Sequence, residues 1–278
     1  MPMNSINTNI GAMVALQSLN RTNDELAGVQ KRISTGLRVS DAQDDGAAFA
    51  VAERIRGDMA ATTSANQQLG AVKGLLEVSR SSLENVSTSL IKLKELMVKL
   101  ADGGINAEQR SQYQGQVKEL TNNVKAFITD ADYNGRNLLE DPATLPLKVI
   151  SNGGGGFYTF NGYSALAGIF NQISGANSFT TQDAIDAMTP TGKLSAAVTN
   201  TLTQLNNFGS YSNYVDTQIN FNKKIMDAQE AGMGSLIDAD LAKESARLQS
   251  LQIRQQLGGQ ALGIANQAPQ TLLSLFKG

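Results

Sequence analysis

Apolar residues recur at steps of three and four near both ends of the chain, over residues 4–38 and 236–276. This is the helical period, so both ends are predicted to be amphipathic helices. Several exposed Leu or Ile side chains on each would make a surface prone to association. The positions are Ile6, Ile10, Met13, Leu16, Leu19, Leu26, Val29, Ile33 and Leu37 in the first segment, and Leu241, Leu248, Leu251, Leu257, Leu262, Leu272, Leu273 and Phe276 in the second.

Two interpretations of these terminal helices stay open. They pair within one chain as a helical hairpin, or their apolar faces are completed by other subunits. Gly259 and Gly263 are spaced four apart in the second helix, a pattern that favours close helix packing. The spacing does not say whether that packing is within the chain or between chains.

A heptad pattern over residues 72–100 predicts a long helix with a coiled-coil seam, because its apolar residues alternate steps of four and three. Charged residues occupy the other faces, which are therefore expected to meet water. The seam consists of Val72, Leu76, Ser79, Leu83, Val86, Leu90, Leu93, Met97 and Leu100, and the charged residues are Lys73, Glu77, Arg80, Glu84, Lys92, Lys94 and Glu95.

A turn at residues 102–104 separates this helix from a second heptad segment, so an antiparallel helical pair is predicted. Asp44 and Asp45 are expected to cap a helix over residues 47–55, and a further helix is expected over residues 194–226. Four helical segments would then form a bundle. The residues of the second and last segments are Tyr113, Val117, Leu120, Val124 and Phe127, then Leu194, Val198, Leu202, Leu205, Phe208, Val215, Ile219 and Met226.

Residues 142–190 have a different character, with prolines and a run of four glycines. Leu145–Ser151 and Phe157–Phe160 flank the glycines and predict a small β-hairpin. One or two helical turns are expected over residues 183–188. The predicted fold is therefore mainly α, a long antiparallel coiled-coil helical bundle built from both ends of the chain, with a small β-hairpin insertion that has no second hydrophobic core.

Composition restricts the function classes. The chain of 278 residues has a net charge of −2 and neither His nor Cys. The charge supplies no basic field for nucleic acid, so that class is excluded. The missing residue types are the commonest metal ligands and catalytic groups, so no cofactor or metal is expected and an enzyme is disfavoured. An enzyme would need a nucleophile with a base partner, and none is visible.

Two motifs resemble ligand sites only in part. The glycine run lacks the following Lys-Ser or Lys-Thr of a phosphate loop. Asp130, Asp132, Asn134 and Gly135 match the first half of a calcium loop, but Asp141 stands where its bidentate Glu belongs. A tight turn that closes the preceding helix is the expected structure there. Neither a signal peptide nor a transmembrane run is evident, so the chain is expected to be soluble or exported by a route that needs neither.

Three segments resemble bacterial flagellins. They are RISTGLRVSDAQDDGAAFAVAERI at 32–55, ITDADYNGRNLLE at 128–140, and SLIDADLAKESARLQSLQIRQQLG at 235–258, which ANQAPQTLLSLF completes. The resemblance covers roughly residues 1–140 and 192–278 and is carried by motifs in the same order. Its signature residues are Gly36, Leu37, Arg38, Asp44, Asp45, Asn134, Gly135, Leu138 and Leu139.

The resemblance implies a structural subunit of the flagellar filament, secreted to the cell exterior and self-assembling into a helical tube for motility. It implies an inner-core domain of residues 1–40 with 236–278, and an outer-core domain of residues 41–235 that includes the insertion. The implied partners are identical or paralogous flagellins, the export apparatus, an export chaperone, and junction and cap proteins. The middle is too short for the large outer domains of many flagellins.

Two alternatives stay open besides an enzyme. A hook-filament junction protein shares the terminal helices and part of the signature. A membrane-active amphipathic helical protein is disfavoured, because the terminal helices lack the Lys and Arg density that such surfaces usually show. No membrane insertion is therefore expected.

Overall fold

The computed structural model of the chain describes residues 8–140, 146–174 and 179–276, with side chains up to residue 267 in the last helix. Ile6 lies outside the described residues, as do the side chains of Leu272, Leu273 and Phe276. The helices are α1 (Ile10–Thr35), α2 (Gly46–Ala101), α3 (Ala107–Thr129), α4 (Asn171–Ile173), α5 (Thr181–Met188), α6 (Lys193–Ile237) and α7 (Leu241–Phe276), and the strands are β1 (Asp132–Tyr133), β2 (Arg136–Asn137), β3 (Leu147–Ile150) and β4 (Phe157–Phe160).

The chain divides into two compact units, each with its own core. We call Met1–Gly57 with Ala228–Gly278 the terminal unit, and Asp58–Asp227 the central unit. In the terminal unit, α1 packs along α7. The predicted mainly helical fold built from both chain ends is thus confirmed. The domain bounds at residues 40 and 236 stay a prediction.

The heptad predicted over residues 72–100 forms the middle of the central unit's core. Every seam position from Val72 to Leu100 is buried, and every charged residue assigned to the wet faces is exposed. Ser79, the polar exception in the seam, is buried because its hydroxyl donates a hydrogen bond to the carbonyl of Leu75 at 2.9 Å. The local bond satisfies the hydroxyl, so the polar residue is tolerated inside the seam.

The segments predicted separately over residues 47–55 and 72–100 belong to one helix, α2, which is 56 residues long. In the part of the chain that the structure describes, the long helices that contribute to the central unit are therefore α3 and the larger parts of α2 and α6. The predicted four-segment bundle was wrong in this respect. Asp45 caps the start of α2. Residues 56–71 do not end this helix, because that stretch contains no proline and its polar residues are tolerated on the exposed faces of a helix.

The helices of the central unit are antiparallel neighbours. Ser82 of α2 donates a hydrogen bond to the carbonyl of Phe127 in α3 at 2.5 Å, as the turn after α2 requires. On the other side, Lys73 of α2 lies 2.6 Å from Asp216 of α6. Closer to the start of α2, the hydroxyl of Thr63 donates to the sulfur of Met226 at 3.8 Å. Residue numbers along α6 therefore increase as those along α2 decrease, so the two helices are antiparallel.

Two predicted core positions are wrong by one residue. Phe127 and Leu202 are exposed, whereas their neighbours Ile128 and Thr201 are buried. A helix turns by about 100° per residue, so a shift of one position moves a side chain from the core to the surface. In α3 the buried stripe runs through Thr121 and Ile128. Thr121 is tolerated there because its hydroxyl donates a hydrogen bond to the carbonyl of Val117, in the same helix, at 2.8 Å.

The predicted hairpin is present as β3 and β4, which pair antiparallel with Leu147 opposite Phe160 and Ile150 opposite Phe157. Leu145, predicted to start the first strand, lies outside the described residues. Val149 and Phe160 join the same core as the helices, so the insertion has no hydrophobic core of its own.

After β4, a π-helical turn over Leu166–Phe170 leads into α4. The predicted helical turns at 183–188 are α5, which begins earlier because Thr180 caps it in a capping box with Asp183.

The half-match to a calcium loop folds as a tight turn between β1 and β2. Asn134 and Gly135 have φ of 55° and 76°. Positive φ at both central residues is the requirement of a type I′ hairpin turn, for which Asn-Gly is the preferred pair. Asp132 accepts a hydrogen bond from the Gly135 N–H at 3.0 Å, so its carboxylate stabilises the turn.

Candidate functional site

The pairing of α1 with α7 is antiparallel and is held by polar contacts along its length. The amide of Asn9 donates to the carbonyl of Ala265 at 2.7 Å. Further along, the amide of Gln255 donates to Asn23 Oδ1 at 2.8 Å. At the far end of α1, Leu37 forms an isolated antiparallel bridge with Asp238. The two ends of the chain therefore form a helical hairpin in one defined register.

This hairpin uses one part of the apolar set predicted for the terminal helices. Val29 of α1 and Leu251 of α7 are buried. The others in this group are half-buried: Leu19, Leu26, Ile33, Leu37, Leu248 and Leu262. These side chains are covered in part by the chain itself, Leu37 against the small core of Val39, Ala52 and Ile237, so they are available to another subunit only in part.

A second part of the set stays exposed on α1, at the end that begins with Asn9. Met13 is 63% exposed, and Ile10 and Leu16 are also exposed. Val14, which the sequence analysis did not select, is exposed beside them. We call Ile10, Met13, Val14 and Leu16 the N-terminal patch. Over these residues α1 is apolar on the side away from α7 as well as on the side towards it.

A third part lies on α7. Leu257 is exposed, and so are Ile253 and Ile264, with Ile264 70% exposed. These residues are spaced four and seven apart and so share one face, which at about 100° per residue lies opposite Leu251. We call Ile253, Leu257 and Ile264 the outer stripe. Ile253 and Ile264 are not among the positions predicted from the sequence, although their spacing is itself a helical signal. Leu241 is exposed near the start of α7.

Close approach of α1 and α7 occurs at a glycine that the sequence analysis did not select. A Cβ at Gly258 would lie 3.2 Å from Leu19 Cδ1. A Cβ at Gly259 or Gly263 would meet nothing within 4 Å. The small-residue spacing therefore does not mark the contact within this hairpin, because Gly258 is the glycine that faces α1.

The signature residues Gly36, Leu37 and Arg38 join the end of α1 to the connection between α6 and α7. Gly36 ends α1 with φ of 73°, a left-handed conformation that favours glycine, and its N–H donates to Arg32 O at 2.9 Å. The Arg38 N–H donates to Ile237 O at 2.6 Å. The Ala239 N–H donates to Gly36 O at 2.9 Å, so this turn determines where the two terminal helices start their pairing.

Asp44 and Asp45, the acidic signature residues, have different roles. Asp45 caps α2, because its carboxylate accepts hydrogen bonds from the N–H groups of the first turn at 3.1 and 3.0 Å. Asp44 does not cap. It accepts from the N–H and the hydroxyl of Ser40 at 3.0 Å each. These bonds, with the ammonium of Lys31 at 3.5 Å, lower the pKa of Asp44 to about 2. The hydrogen bond to Asp41 raises the pKa of Lys31.

The remaining signature residues lie in the central unit. Leu138 and Leu139 are buried in its core. Their carbonyls accept hydrogen bonds from the N–H groups of Tyr163 and Ala165 at 2.9 and 2.7 Å. These bonds position the segment that follows β4. Together with the Asn134-Gly135 turn, these residues have structural roles within the chain.

Among residues 8–140, 146–174 and 179–276, no group of three acidic, His or Cys residues converges on a position for a metal ion. In the same part of the chain, no helix is long and apolar enough to cross a membrane. The N-terminal patch and the outer stripe, both in the terminal unit, are therefore the candidate functional surface.

Two family models match most of the chain. Residues 6–144 match the bacterial flagellin N-terminal helical region, and residues 191–276 match the bacterial flagellin C-terminal helical region.

Curated relatives match over the whole length. The chain is 38% identical over 278 residues to flagellin FljK of Caulobacter vibrioides, with 100% of both chains covered. It is 33% identical over 285 residues to a flagellin of Brucella melitensis, with 99% of this chain and 100% of the relative covered. These matches include the insertion that the family models leave out.

A solved structure described as a flagellar hook-associated protein from Vibrio parahaemolyticus has a similar fold. Its TM-score is 0.56 at 14% identity, and the match covers 70% of this chain and all of that one. At this identity the likeness concerns the fold alone.

Proposed function

The chain belongs to the bacterial flagellin family, and from this premise we propose that it is a structural subunit of the flagellar filament that self-assembles through its paired terminal helices. The observation that carries the proposal is the apolar surface that remains after α1 and α7 have paired. Burial of one such Leu or Ile side chain contributes roughly 1.5 to 3 kcal/mol. The exposed set of the terminal unit is therefore large enough to drive association.

The partner is a second copy of the chain or a paralogue. The N-terminal patch and the outer stripe lie on different helices and differ in their residues, so the patch of one subunit need not meet the patch of another. Contact between unlike surfaces is heterologous, and when its rotation does not close, the product is an open helical polymer. This geometry accords with a filament that grows by addition of identical units.

The family premise extends the proposal to other partners and to location. The chain is an extracellular filament protein without enzymatic activity, exported by the flagellar apparatus with the help of a chaperone, and it contacts junction and cap proteins at the filament ends. Caulobacter vibrioides has several flagellins among the relatives, FljK, FljM, FljO and FljN, at 35 to 38% identity. A filament that mixes this chain with paralogues is therefore part of the proposal.

Electron microscopy of seeded growth tests the surface. The purified chain is incubated with its sheared filaments beside a variant that carries Ile253→Ser, Leu257→Ser and Ile264→Ser. A matched control carries Gln252→Ser, Gln256→Ser and Gln260→Ser, which change exposed polar positions of the same helix. Long filaments from the native chain and the control, with none from the stripe variant, are expected. Circular dichroism of each monomer checks that α7 still forms.

Two results would change the conclusion. Growth of the stripe variant at the native rate would remove the outer stripe from the assembly surface. A native chain that adds only a short cap to filaments of a paralogue, and does not elongate them, would make the hook-filament junction protein the better assignment.

A further inference from the structure

Met13 differs from the other methionines in the described part of the chain. Its side chain is 63% exposed and lies in the N-terminal patch, whereas Met97 is 3% exposed in the central core. Met59, Met188, Met226 and Met233 are half-buried. Oxidation of a thioether requires access of the oxidant to the sulfur, and it converts an apolar side chain into a polar one. Met13 is therefore the described methionine that solution oxidants reach most easily.

We propose that Met13 is a reversible oxidation site at which peroxide controls whether the subunit can join a filament. The inference rests on the proposed function, because it requires the N-terminal patch to be buried against another copy. In the reaction, hydrogen peroxide transfers one oxygen atom to the Met13 sulfur, the O–O bond breaks, and water leaves. The sulfur is oxidised by two electrons to the sulfoxide, and the peroxide is reduced by two.

The consequence follows from the residues beside Met13. Ile10, Val14 and Leu16 make the rest of the patch, and none of them has a side-chain hydrogen-bond donor. A sulfoxide oxygen that is hydrated in the free chain would lose its water partners when the patch is covered. Burial of a polar group without a partner opposes association, so the critical concentration for growth is expected to rise on the order of tenfold or more.

Assembly should also control the modification. In the free chain the Met13 sulfur is open to solvent, but the proposed contact covers it. Oxidation should therefore be fast in the monomer and slow in the filament, while Met97 remains protected in both states. Oxidation of Met13 therefore acts on subunits before they join the filament, and filaments that have already formed should resist it.

The test compares the native full-length chain with Met13→Leu, a swap that nearly conserves volume. Growth of each chain after treatment is expressed relative to growth of the same chain untreated, so that the effect of the substitution itself is removed from the comparison. Both monomers receive the same mild dose of hydrogen peroxide. Sulfoxide at each methionine is located by tandem mass spectrometry, and seeded growth is followed by light scattering. The treated native chain should lose growth, whereas treated Met13→Leu should keep it. Methionine sulfoxide reductases should restore growth of the treated native chain.

Each other outcome overturns the inference. Native chain that is almost fully oxidised at Met13 but grows normally removes the effect. An equal loss in treated Met13→Leu places the effect at another methionine, because the variant keeps all the others. Equal oxidation of Met13 in filament and monomer shows that the patch stays uncovered. Failure of the untreated native chain to grow on seeds is a separate result, which contradicts the proposed function itself.

Discussion

The guanidinium of Arg32 lies 3.3 Å from a carboxylate oxygen of Glu244, which is 212 positions further along the chain. Arg32 belongs to the last turns of α1 and Glu244 to the first turn of α7, so the pair joins the two terminal helices where their hairpin begins. Glu244 is buried, and its second oxygen has no hydrogen-bond partner in the described part of the chain. Arg32 is thus the cation that compensates this carboxylate.

Replacement of Arg32 by Met should lower the free energy of unfolding by about 1 to 3 kcal/mol, because it leaves a buried carboxylate without its cation. Glu244→Gln in the same chain should recover part of the loss. Urea unfolding of the monomer, followed by circular dichroism, measures both. Lys31→Met is the control, since the ion pairs of Lys31 are on the surface and should contribute little. An equal loss from both single changes would contradict the special role of Arg32.

Loss of the cap of α2 should be measurable at Asp45. Asp45→Ala removes the acceptor for two N–H groups of the first turn, and it should destabilise the chain by about 1 kcal/mol. Asp45→Asn retains a capping oxygen and should cost much less. Thermal unfolding of the two variants beside Gln43→Ala, an exposed neighbour, provides the comparison. Asp45→Asn as unstable as Asp45→Ala would show that the charge matters and the cap does not.

The stabilisation that Asp44 provides should be lost in acid, between about pH 3.9 and about pH 2. Its pKa is lowered to about 2, first by the N–H and hydroxyl of Ser40, so the folded chain holds the carboxylate ionised below the ordinary aspartate value of about 3.9. A group with a lowered folded pKa contributes stability above the unfolded value, and the contribution disappears as pH falls through about 2.

Carbon NMR titration of the Asp44 carboxyl measures this pKa, and Ser40→Ala should raise it towards the ordinary value. An unchanged pKa in that variant would contradict the assigned cause. Asp183, whose pKa is lowered by Thr180, provides an unaltered reference in the same spectra.

Gly153 is the position of the glycine run where a Cβ would meet the backbone of α2. A Cβ at Gly153 would lie 2.5 Å from Thr62 Oγ1 and 2.9 Å from the backbone oxygen of Asp58. Because backbone cannot move aside cheaply, Gly153→Ala should destabilise the chain by about 1 to 3 kcal/mol. Gly154→Ala is the matched control, since its Cβ would meet only Asn152 Oδ1 at 3.5 Å. Unfolding in urea should separate the two, and equal stabilities would show that the turn does not press on α2.

Asn222 is a buried residue of α6 whose side chain hydrogen-bonds both to α2 and to the segment that follows β3. Its amide donates to Asn66 Oδ1 and to Ser151 O at 2.8 Å each, and its oxygen accepts from Gln218 at 2.9 Å. Asn222→Leu would leave these groups unpaired, at a cost of about 1 to 3 kcal/mol in unfolding free energy. Asn220→Leu changes an exposed position of α6 and should cost little. A double-mutant cycle with Asn66→Ala measures the coupling, and zero coupling would contradict the bond.

Local sequence patterns predict much of the fold. The heptad from Val72 to Leu100 predicts its buried face at every position, because helical period is a property of neighbouring residues alone. The hairpin is equally local, since a glycine turn between two β-prone segments needs no distant contact. The capping role of Asp45 could also be read from its position before a helical segment, although the different role of Asp44 could not.

The sequence by itself determined that both chain ends are amphipathic helices with apolar surface to cover. Only the tertiary structure decided which part of that surface the chain covers itself. Leu251 packs inside the hairpin while Ile253, two positions on, is exposed on the opposite face. Likewise Gly258 meets Leu19 and Gly259 meets nothing. The physical reason is that a helical period places residues on faces but does not say which face a distant helix will occupy. That choice depends on contacts between residues more than two hundred positions apart, such as Arg32 and Glu244.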